Sequence, residues 1–155
     1  MSLTVGINKS KHVSRWFDYV DENGAVLAKF KIRGISYKPY QVAIERSRQI
    51  LSISNEIKSI DNLAKTSQEM LLTCTAYHLI EDWSGVYIQS INDDGELEKK
   101  EIQFSQDNAN DIIVYGGDEG LLIWDFINTN AKRLQAEYDK EKDEILGKSK
   151  RYTGG

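Results

Sequence analysis

Ser84 is the first residue to test for chemistry, because the stretch HLIEDWSGV (residues 78–86) sets it close behind a histidine and an acid pair. A nucleophilic serine on an elbow needs Gly-x-Ser-x-Gly after a strand, and a base within reach. The first glycine is missing here, and the apolar spacing before the stretch predicts a helix. Only two histidines exist to serve as base. His12 falls in a polar N-terminal arm, and His78 reads as structural or exposed. Glu81 and Asp82 would point about 100° apart on a helix and could not share a substrate. The stretch therefore reads as a joint between a helix end and a turn. Cys74, the single cysteine, excludes an intrachain disulfide and a Cys-based zinc site. No Lys or Arg lies near it in sequence to activate the thiol, so it reads as a small buried hydrophobe. The glycine-rich GGDEG (116–120) lacks the Lys-Ser/Thr of a phosphate loop, and its acids would repel phosphate. Ser90, Asn92, Asp94, Gly95 and Glu101 fall on the spacing of a calcium loop. The first position wants Asp, however, and the flanks read as strand rather than helix. A hairpin-like turn is the better reading.

Composition narrows the classes further. The net charge of −4 comes without a basic stripe, so the electrostatic footprint of a nucleic-acid binder is missing. With 40% hydrophobic and 28% charged residues the chain is globular, and its length suits one domain with its own core. No apolar signal segment opens the sequence, and no run approaches the roughly 18 apolar residues of a membrane span. The expectations are a cytoplasmic protein with no nucleic-acid partner, no membrane partner, no metal and no cofactor.

The elements that would carry these residues follow from periodicity. Residues 1–12 are polar and aperiodic and read as a flexible arm. WFDYV and AVLAKFKIRGI flank Asn23 and Gly24, the dipeptide of a tight hairpin turn. Val26, Ala28, Phe30 and Ile32 form the apolar face of the second strand. Pro39 suits a first helical turn. Ala43, Ile50, Ile53, Ile57, Ile60 and Ala64 follow at helical spacing, as one helix or as two broken near residues 59–62. A further helix through Leu63, Met70, Leu71, Cys74, Tyr77 and Ile80 ends at HLIEDWSGV. Beyond it come a short β-prone piece, a turn at Asn92–Gly95 and a charged stretch. Ser105 then caps a short helix that stops at Gly116 and Gly117. The last helix opens on Asp118 and Glu119, where acids complement the macrodipole. It carries the stripe Ile123, Ile127, Ala131, Leu134, Tyr138 and Ile145, and stops at Gly147. Residues 13–146 thus form one α+β domain, an N-terminal β-hairpin or small antiparallel sheet packed against three to four α-helices. Residues 147–155 form a flexible tail.

The block GLLIWDFI (120–127) holds more apolar residues than one helix stripe needs, so it is either fully buried or partly offered to a partner. The order of the later pieces resembles the tail assembly chaperones of long-tailed bacteriophages. Trp83, Gly85 and Val86 match a helix-to-turn step. Asp94 and Gly95 match a turn, and Phe104 and Ser105 match a capped short helix. Trp124, Phe126 and Ile127 match an aromatic-aliphatic final helix. The front hairpin and the helix from Pro39 resemble the pattern more loosely, and the charged end from Lys140 departs from it.

The resemblance implies a non-enzymatic role in the bacterial host's cytoplasm. It implies binding to the tape measure protein, a long helical chain with apolar stretches, and absence from the mature virion. Such proteins often occur also as a longer frameshifted product. On this reading Leu121, Ile123, Trp124 and Ile127 are the candidate partner-binding residues, while Trp83 is core. Self-association is a further expectation, since coating a long client profits from repeated contacts. The alternative reading is a structural virion component, a minor tail or tube subunit that polymerises with itself.

Overall fold

Strand-forming residues cluster around the two turn signals, and sheets form there. In the computed structural model, residues 2–5, 12–54 and 60–153 are described, with side chains at 2–5, 12–52 and 68–146. The order is β1 (Ser14–Val20), β2 (Val26–Arg33), α1 (Lys38–Ser54), α2 (Ile60–His78) and β3 (Ile80–Ser84), then β4 (Tyr87–Ile91), β5 (Leu97–Glu101), α3 (Gln106–Tyr115) and α4 (Gly117–Thr153). This is the expected α+β architecture with four helices. β1, β2 and β3 make an antiparallel sheet with β2 in the middle, and β4 and β5 make a separate hairpin.

On β2, Ala28, Phe30 and Ile32 point into the core as the alternation predicts, while Val26 near the turn stays half exposed. Phe126 of α4 meets this face, its ring 5.0 Å from Tyr19 and 6.1 Å from Phe30. Below the sheet, α2 packs on α1 and α3, and α3 on α4. A buried polar relay pins three helices together. Tyr40 Oη of α1 donates to Asn128 Oδ1 of α4 at 3.4 Å, and Asn128 Nδ2 donates to Thr75 Oγ1 of α2 at 3.0 Å. Each member of the relay has a partner, so its burial leaves no polar atom orphaned.

Three expectations need correction. Ile80–Ser84 is the third strand of the sheet, not a helix end. Lys31 pairs with Asp82 and Ile32 with Ile80, so Glu81 is an extra, bulged residue. The bulge shifts the strand's parity, and Ile80 and Trp83 both point inward. Their spacing of three is what imitates a helix. In α1 the buried positions are Tyr40, Ile44 and Ser47; of the expected stripe Ala43 packs against the core, whereas Ile50 is half exposed, so the inward face is centred to one side of that stripe. Ile57 of that stripe and residue 59 of the expected break lie outside the described residues, and the side chains of Ile53, Ile60 and Ala64 and of residues 60–62 lie outside the described side chains. Finally, α4 continues through Gly147 to Thr153. A glycine inside a helix costs only about 1 kcal/mol relative to alanine, too little to stop this one.

Candidate functional site

The residues first tested for chemistry are dispersed or already engaged. Ser84 closes β3 at the surface, and Asp82 Oδ1 accepts the backbone N–H of Trp83 at 2.8 Å. Glu81, bulged outward, faces His12 at 3.7 Å and Lys31 at 3.9 Å. Burial alone would raise its pKa, but a hydrogen bond from Ser14 and the charges of Lys31, Arg33 and His12 outweigh it and hold the carboxyl below its ordinary value. His12, assigned to the arm, also packs edge-on against Tyr37 with ring centroids 4.9 Å apart. Burial, then the charge of Arg33, lowers the pKa of His78, whose carbonyl accepts from Arg33 Nη1 at 2.9 Å. Cys74 is buried 3.5 Å from Ser47 Oγ. The calcium-like spacing sits on the β4–β5 hairpin. There Asn92 Oδ1 accepts the N–H groups of Asp94 (3.0 Å) and Glu96 (2.9 Å), a side-chain turn rather than a cation cradle.

What the fold does build is an open apolar groove. Trp83 anchors one wall: it packs edge-on against Phe30 and Phe104 at 6.2 and 5.3 Å, and its indole N–H donates to the carbonyl of Ile102 at 2.9 Å. Ile102 N–H in turn donates to Val86 O at 2.9 Å. This stem holds the β4–β5 hairpin out from the body, with Tyr87, Ile88, Ile91 and Leu97 exposed. A two-stranded hairpin is marginal by itself, so the stem fixes its position. Opposite stand α3, capped by Ser105 Oγ accepting from Asn108 N–H at 3.0 Å, and the first turns of α4. Between them lies a groove of 640 Å³, within the range of ligand sites. Val86, Ile102, Ile112 and Ile123 supply its apolar floor, and Ile88 and Tyr115 its exposed lips. Its charged lining residues are Asp111 and Glu119, with Lys99 beyond the wall, 5.2 Å above the Tyr87 ring.

Of the four candidate residues, Ile123 lies in this groove. Ile127 is fully buried, belongs to the core and can touch no partner. Leu121 is exposed, but is not among the groove's lining residues. Trp124 is half buried against the core, with its indole N–H enclosed and without a partner among the described residues. The four do not form one surface. Ile88, Ile112 and Tyr115 are the residues missed. A signal was present for Ile88 alone: in VYIQSI both strand faces carry apolar residues, which a hairpin with one covered face does not need.

Residues 35–148 match the model of the YdaY prophage protein family. The chain belongs to this family. It is thus a phage-related protein, in agreement with the coarser part of the resemblance, and the family's description states no activity. No curated protein and no solved structure matches the chain. The match begins after β2, so both walls of the groove lie inside the YdaY-family region while the β1–β2 hairpin lies outside it. Among the described residues no helix is long and apolar enough to cross a membrane.

Proposed function

We propose that this YdaY-family protein is a tail assembly chaperone without enzymatic activity. It covers apolar stretches of the tape measure protein in the host cytoplasm until the tail tube has formed, and leaves before the particle is complete. The groove carries this reading. A long amphipathic client aggregates until its stripe is covered, and an apolar floor between a hairpin and two helices suits helix-in-groove packing. Ile123 and Ile112 would meet the client's apolar side chains, and Ile88 and Tyr115 would close over them. The outer edges of β4 and β5, unpaired among the described residues, favour a second reading, a tail or tube subunit that polymerises with itself.

Co-expression with the tape measure protein of the same prophage tests the first reading. The expected result is soluble client that co-purifies with this protein. A client that stays insoluble and never co-purifies, together with this chain in purified particles, would establish the second reading instead.

A further inference from the structure

Charge divides unevenly along the sequence. Between Lys100 and Lys132 lie six acids, Glu101, Asp107, Asp111, Asp118, Glu119 and Asp125, and no Lys, Arg or His, although the whole chain holds 20 Lys and Arg against 24 acids. That run builds α3 and the first turns of α4, the helical wall of the groove. Asp107 is engaged, since its carboxylate accepts from Tyr77 Oη at 2.7 Å. Asp111 and Glu119 line the groove, are exposed, and take part in no ion pair among the described residues. The facing strand β4, YIQSI, carries no charge, and Lys99 stands on β5 behind it, held over the Tyr87 ring. The groove thus joins an apolar floor to a wall of one sign.

We infer that the groove receives a cationic amphipathic helix of the partner. The helix lays its apolar stripe on Ile102, Ile112 and Ile123, and Lys or Arg residues flanking that stripe meet Asp111 and Glu119. The inference rests on the client reading above and adds which segments of a long client dock here. An apolar floor alone gives affinity with little choice, because many apolar helices fit it. The sign of the flanking charge gives the choice. A Lys or Arg beside the stripe lays its methylene stem along the rim while its cationic head reaches the carboxylates. An Asp or Glu in the same place brings like charges together, and that segment is rejected. These contacts stay at the rim within reach of water, so the selection weakens as salt rises.

The experiment is fluorescence polarisation of labelled synthetic peptides against the full-length protein. Three peptides, each stapled into a helix, share one leucine stripe and differ only in carrying Lys, Gln or Glu beside it. At low salt the Lys peptide should bind at least about tenfold more tightly than the Glu peptide, with the Gln peptide between them. The gap should close as salt rises. Asp111→Asn with Glu119→Gln should make the three peptides equal, and Asp111→Lys with Glu119→Lys should reverse their order, with melting temperatures confirming that both variants fold. Equal binding of the three peptides to the wild type, or an order unmoved by the groove variants, would overturn the inference. If Ile88→Asp still weakened that indifferent binding, the client reading would stand without it. Failure of every peptide to bind would overturn the inference together with the reading it rests on.

Discussion

At the residue scale, two tryptophans that look alike in sequence have opposite roles in the energetics. Trp83 fills a buried site and its indole N–H is satisfied by Ile102; the indole N–H of Trp124 is enclosed and has no partner among the described residues. Trp83→Ala should cost about 3–5 kcal/mol through the cavity it leaves. Trp83→Phe orphans a carbonyl, whereas Trp124→Phe removes a buried donor that has nothing to bond. Denaturant unfolding should therefore show Trp124→Phe as the milder of the two. Acid stability belongs to this scale as well. His78 and Glu81 both have folded pKa values below their ordinary ones of 6.5 and 4.5. In each case the unfolded chain takes up its proton first, so stability is full above the ordinary value and drains as pH falls beneath it. Melting temperature should decline in two stages on acidification. His78→Gln should remove the stage that begins near pH 6.5, and Glu81→Gln should shrink the one that begins near pH 4.5, to which Glu137, held low by hydrogen bonds from Arg15 and Arg133, also contributes. Burial of Cys74 was legible from its spacing, and that of Trp83 from the place of a large aromatic at a joint between elements. The partners of Glu81 were not, since His12, Lys31 and Ser14 are brought to it only by sheet pairing.

At the element scale, glycines separate turn geometry from close packing. A methyl group at Gly120 would sit 2.6 Å from the carbonyl oxygens of both Ile112 and Ile113, where α4 crosses α3. At Gly95, in the β4–β5 turn, nothing lies within 4 Å, but φ is +78°. Gly120→Ala should cost about 1–3 kcal/mol by overpacking, and Gly95→Ala about 1–2 kcal/mol from the left-handed backbone alone. Thermal melts of the two variants check the order, and only Gly120→Ala should also disturb the groove that α3 and α4 line. Turn and cap residues made most elements legible: Asn23 and Gly24, Asn92 to Gly95, Ser105, and Gly116 with Gly117 all stand where expected. β3 was hidden because a one-residue bulge gives its inward residues a helical spacing. The α1 stripe was misplaced because its inward face uses Tyr40 and Ser47, polar-tipped residues that a hydrophobicity pattern passes over, while Ile50 points outward.

At the scale of the whole molecule, the groove is a product of assembly. Its walls come from residues near 86, 112 and 123, which no local pattern links, and they meet because Trp83 ties the hairpin stem to the sheet while Gly120 lets α3 and α4 close up. The block 120–127 signalled excess apolar surface, and folding divides that surface between core (Ile127), groove (Ile123) and solvent (Leu121, Leu122). The central claim is that this groove holds an apolar helical partner. Its most direct test is to compare binding of the client's apolar helical segments to the wild type and to Ile88→Asp, an exposed lip substitution that leaves the core untouched. A groove that binds the client predicts at least about a tenfold loss of affinity with an unchanged melting temperature. Equal affinity in the two proteins would place the contact elsewhere and contradict the claim.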